Sequence, residues 1–147
     1  MLNKNIIGQE SQPKTVTAER GQMMFFAKAT GAGDRIYWDE EAAIASGHPA
    51  LPAAPTYLFC LNNFAPSKDR SVLAQLGVDI GRVLHGEQRF KYAKPIYAGD
   101  AITLKDRIVD VYEKKGGALQ FVLTETVATN QHGEFVGSMT NSLVIRN

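Results

Sequence analysis

One cysteine, Cys60, stands in 147 residues, so no disulfide can form within the chain. On its own it reads as a small apolar residue on a buried helix; a nucleophile would need a histidine beside it. The three histidines, His48, His85 and His132, lie far apart and lack ligand spacing, so no metal site is expected. Net charge is only +1, and neither sign forms a long run. Nothing therefore draws the chain to nucleic acid or to an acidic membrane. No apolar run approaches the roughly 20 residues that a membrane-crossing helix takes. The stretch Met1 to Gly8 lacks the apolar core of a secretion signal, which places the expected location in the cytoplasm. Gly31 and Gly33 are not followed by Gly-Lys-Ser/Thr and follow no strand, so they do not form a phosphate loop.

What is present is an ordinary globular balance, 44% apolar and 21% charged, which suits one domain over 1–147 with 1–14 as an irregular lead-in. The most apolar stretch is 53–65, Ala-Ala-Pro-Thr-Tyr-Leu-Phe-Cys-Leu-Asn-Asn-Phe-Ala. Its large residues go right round a helical wheel, which predicts a helix enclosed by other structure. Pro55 suits its first turn, where a missing N–H costs nothing. Ahead of it, residues 15–31 are expected to form a helix capped by Thr17 and stopped by Gly31. A short helix over 39–47 is expected, with Asp39 as cap and Glu40 and Glu41 in its positive first turn. The connector 66–83 is charged, then apolar, with a short helix expected at 71–76.

From Leu84 the apolar period changes to two. Strands are expected from 84, from 101 to 114 with a bulge or a long twist, from 118 to 130 and from 135 to 146. Pro95, the turn 97–100, Gly116-Gly117 and the turn 131–134 punctuate them. One long helix followed by a meander of strands reads as α+β, the sheet curled over the helix.

The stretch 84–102, Leu-His-Gly-Glu-Gln-Arg-Phe-Lys-Tyr-Ala-Lys-Pro-Ile-Tyr-Ala-Gly-Asp-Ala-Ile, resembles the MaoC-like dehydratase N-terminal family. The likeness extends to 26–43 and to Ala54-Pro-Thr-Tyr57. That family includes fungal-type fatty-acid-synthase dehydratase domains and the accessory halves of (3R)-hydroxyacyl-thioester dehydratases. The resemblance implies a hotdog fold and pairing of two hotdogs, as a homodimer or as a heterodimer with a catalytic MaoC-like partner. It implies reversible addition of water to an enoyl thioester carried on CoA or on acyl carrier protein, with no other cofactor. Such chemistry needs one acid, one base and a donor for the thioester carbonyl.

Active hydratases of the superfamily look like Gly-Asp-x-Asn-Pro-x-His-x-Asp before a helix. Laid on this chain, the first glycine falls on Gly31 and the last aspartate on Asp39. The catalytic aspartate then falls on Ala32 and the histidine on Tyr37. Neither replacement transfers a proton readily near neutral pH. The resemblance therefore implies an acyl-binding half. Its candidate binding residues are Tyr37, Trp38, Pro55, Thr56, Tyr57 and Gly86. In active relatives a glycine N–H near the helix start holds the thioester carbonyl; Pro55 has none, which leaves Thr56. Asp34, with His48 or His85, is the alternative acid–base set for an active homodimer. A thioesterase would need a carboxylate on the central helix, and 55–65 carries none. A non-catalytic acyl-thioester-binding protein is the further alternative.

Overall fold

A computed structural model describes residues 4–66 and 76–147. Of the helix expected at 71–76, residues 71–75 lie outside the described residues, and Leu76 is in a turn. Five strands form one antiparallel sheet: β1 (Lys14–Thr17), β2 (Val83–Tyr92), β3 (Ala101–Lys114), β4 (Leu119–Thr129) and β5 (Phe135–Arg146). Their order is β1-β3-β4-β5-β2, so β1 and β2 are its two margins. Among the described residues three α-helices accompany it, α1 (Arg20–Ala29), α2 (Glu40–Ala45) and α3 (Tyr57–Phe64). The hotdog arrangement is realised: the sheet curls around α3.

The long strands follow from alternation. Ile102, Leu104 and Ile108 of β3 point inward and are buried. A bulge falls between Ile108 and Asp110, after which Val111 takes the inward position. A second bulge, between His85 and Glu87, leaves Gly86 as the extra residue of β2.

Two helix boundaries differ from expectation. Lys14-Thr-Val-Thr17 is not helical; its alternating, β-branched residues pair with β3 from Leu104 to Ala101. Thr17 therefore caps nothing, and α1 begins after Glu19, which makes no side-chain cap bond. The central helix proper is eight residues long, because Pro55 precedes it and Thr56 sits in the left-handed region at φ 71°. It is also not enclosed on every side. Tyr57, Leu58 and Leu61 form one buried face, while Phe64 is 54% exposed. Those three side chains join Met23, Leu51, Ile102, Leu104, Val136 and Met139 in the main core.

Both ends of α3 are held by side chains from the sheet margins. Lys14 of β1 donates from Nζ to the Asn62 carbonyl at 3.0 Å, satisfying one of the helix's last carbonyls. The same ammonium lies 3.5 Å from Asp106, whose other oxygen accepts from Thr126. At the opposite margin, Tyr92 of β2 receives the Thr56 N–H.

Candidate functional site

The loop 31–39 is closed on itself by its own polar groups. Asp34 Oδ1 accepts from the Ile36 amide at 3.1 Å and caps the 3₁₀ turn Arg35–Tyr37. Asp39 caps α2 through the Ala42 amide, as its position predicts, and pairs with Arg35. The Arg35 guanidinium, with help from that amide, holds the Asp39 carboxyl below the usual carboxylate range. Trp38 Nε1 donates to the Ala32 carbonyl at 3.2 Å, with Lys28 and Arg35 over its ring at 5.5 and 5.8 Å. Asp34 and Trp38 thus shape the loop, and what the loop presents inward is Ile36 and Tyr37.

The segment before α3 is zipped to the chain that follows β2. Ala53 N–H donates to the Ile96 carbonyl at 2.7 Å and Ala98 N–H to the Leu51 carbonyl at 2.9 Å. Pro52 and Tyr97 form the bridge between these bonds. His48 Nδ1 lies 3.2 Å from the Tyr97 hydroxyl. Among these pieces is a cavity of about 340 Å³. Ile36 and Tyr37 contribute from the loop, and His48, Pro52 and Pro55 from the zipped segment. Leu58 comes from α3, and Tyr92, Lys94, Pro95 and Val136 from the sheet side. The lining is mostly apolar and carries no carboxylate among the described residues. Lys94 is held by Glu134 at 2.5 Å.

Tyr37, His48 and Pro55 are therefore brought together, while Asp34, Trp38, Thr56, Tyr57, His85 and Gly86 do not line the cavity. His85 sits further along β2, its ring edge-on to Phe59 with centroids 6.4 Å apart. Gly86 has a packing reason to be glycine: a Cβ there would lie 2.7 Å from Val144 Cγ2. Thr56 offers its N–H, but Tyr92 already takes it at 2.9 Å. Tyr92, Lys94, Pro95 and Leu58 were not singled out by the sequence, where they read as a strand end, a turn and core.

Tyr57 is 1% exposed and packs on Phe26 with ring centroids 5.3 Å apart. Among the described residues its hydroxyl has no partner, and burial pushes its pKa up to about 12. An unfolded tyrosine releases its proton near pH 10, so native stability from this group is whole below pH 10 and is lost as pH climbs from 10 to 12. Tyr57→Phe is expected to leave stability unchanged or raise it by about 1 kcal/mol at neutral pH, since an unpaired buried hydroxyl is removed. It should also flatten the alkaline loss. Urea unfolding at pH 9 and pH 11 checks both; an equal alkaline loss in the variant would refute the assignment.

Among the described residues no helix is long and apolar enough to cross a membrane. Residues 5–139 match the family described as the FAS1-like, dehydratase domain region. A UPF0336 protein of Streptomyces coelicolor is 35% identical over 99% of this chain and 95% of its own. One of Tropheryma whipplei is 33% identical over 93% of this chain and 94% of its own. Among solved structures, the C-terminally truncated HadBC (3R-hydroxyacyl-ACP dehydratase) complex of Mycobacterium tuberculosis is similar at 30% identity and TM-score 0.78. The match covers 95% of this chain and 96% of that one. The ChsH1–ChsH2 complex of the same organism matches in fold, at 20% identity and TM-score 0.75, over 94% and 89% of the two chains.

Proposed function

This chain belongs to the FAS1-like dehydratase-region family, and from that premise we propose that it is the acyl-binding half of an enoyl-thioester hydratase or (3R)-hydroxyacyl-thioester dehydratase. One observation carries the reading. The cavity has the size and apolar walls of a ligand site, yet among the described residues no carboxylate lines it, and Ala32 and Tyr37 occupy the positions of the usual acid and base. Asp34, the nearest carboxylate to the missing one, is engaged as a turn cap. The acyl part of a CoA or carrier-protein thioester lies in the cavity, and a second hotdog supplies the dyad. No further cofactor takes part. Two features support a partner. Both similar structures cited above are described as complexes, and β2 is a ten-residue margin with no strand beyond it among the described residues. Long open edges invite pairing with another chain.

The purified chain is expected to bind an acyl-CoA but leave crotonyl-CoA unhydrated. Combined with a dyad-bearing hotdog partner, it should support turnover. Hydration by the chain alone, as a homodimer, would sink the accessory reading, and loss of that rate in Asp34→Asn would then assign the acid.

A further inference from the structure

Tyr92 ends β2 at the cavity; the residue is 57% exposed, and its ring is stacked on Phe90, centroids 6.0 Å apart and planes 2° from parallel. Its hydroxyl oxygen accepts the Thr56 N–H at 2.9 Å. A phenolic hydroxyl that accepts a bond still has its own proton to give. Among the described residues nothing takes that proton.

We propose that the Tyr92 hydroxyl, not a backbone amide, is the group in this chain that hydrogen-bonds the carbonyl of a bound acyl thioester; this rests on the acyl-thioester reading above. Tyr92 lines the cavity and Thr56 does not. Pro55, which also lines it, has no N–H to offer. The Thr56 amide is spent on the tyrosine, and that bond polarises the hydroxyl so that its proton is a better donor, since successive hydrogen bonds reinforce one another. Stacking on Phe90 holds the ring, so little orientation is lost on binding. The other polar lining groups lack this pairing of a hydroxyl proton with an amide behind it. Lys94 is drawn toward Glu134, His48 is tied through Nδ1 to Tyr97, and among the described residues no amide donates to the Tyr37 hydroxyl.

Two ligands and one variant separate the possibilities. Octanoyl-CoA carries the carbonyl; its thioether analogue S-octyl-CoA has a methylene there and is otherwise alike. By calorimetric titration the native chain is expected to prefer the thioester about fivefold to tenfold, the worth of one hydrogen bond. Tyr92→Phe, which keeps the ring and leaves an exposed site, should bind both equally at the weaker level. If the native chain shows no preference, the inference is overturned while the acyl-binding reading stands. If Tyr92→Phe keeps the preference, the Thr56 amide is the true donor and the tyrosine only a placeholder, which also overturns it. Binding of neither ligand would overturn the acyl-thioester reading itself.

Discussion

Gly137→Ala is expected to cost about 3 kcal/mol, the upper end for overpacking, and to lower Tm by roughly 10 °C. A Cβ at 137 would stand 2.6 Å from the Lys91 carbonyl oxygen, and the next nearest atoms, Lys91 C and Tyr92 Cα, are also backbone. No side chain can rotate out of the way. Relief has to come from moving β2 off β5, at the very pair, Tyr92 with Gly137, where the strand ends. The neighbouring Val136 carbonyl accepts from both Ala93 and Lys94, so the same shift loosens the segment that lines the cavity. Gly86→Ala is the natural control. Its nearest clash is a valine methyl, with backbone no closer than 3.3 Å, and it should cost less. Thermal unfolding of both variants tests the ordering. A Gly137→Ala Tm within about 2 °C of native, less than 1 kcal/mol, would mean the strands do not approach as described.

Leu58→Ala is expected to destabilise the free chain by about 3 kcal/mol, within the range for emptying a buried leucine site. Leu58 is 3% exposed and serves both the main core and the cavity wall. The space it vacates opens into the cavity, so it is available to ligand. On the acyl-binding reading, the variant should take a chain about two carbons longer, each buried methylene contributing about 0.8 kcal/mol. A series of acyl-CoAs from eight to twelve carbons, titrated against both proteins, would show the optimum shift. Denaturant unfolding with and without the longest ligand would show part of the lost stability return. An unchanged length optimum would place the acyl chain away from Leu58.

Much of this fold was legible because its strands obey a simple period. β3 and β5 begin and end where alternation and turn residues put them. The irregularity of β3 was legible as imperfect alternation, while only its pairing with β4 shows it to be a bulge rather than a long twist. The N-terminal region was harder. Thr15-Val-Thr sits directly before a helical pattern, and only its pairing with Ile102 and Thr103 makes it a strand. Apolarity overstated the length and enclosure of α3. Apolar residues on its open side are tolerated, and a left-handed Thr56 sets its start. The departure of the loop at 31–39 from the acid–base motif is a matter of sequence alone, whereas the uses of Asp34 and Trp38 depend on which backbone groups fold back to meet them. The sheet side of the cavity was the least legible part. Tyr92, Lys94 and Pro95 read as a strand running out into a turn, and nothing local says that this turn zips onto 51–53.

The two ties on α3 carry a mechanical meaning. The sheet is a bent bow, and the helix is strung between its tips, with Lys14 fastening one end and Tyr92 the other. Chord and arc are not independent. Any force that flattens or tightens the bow acts on the string, and the Tyr92 fastening is in the wall of the cavity. A strand laid along the β2 margin would be such a force, because paired strands impose their twist on one another. On the acyl-binding reading with a hotdog partner, the span of acyl chains accepted would then be a property of the assembled pair, tuned by how far its union bends the limb, and an isolated subunit would report only its slack value.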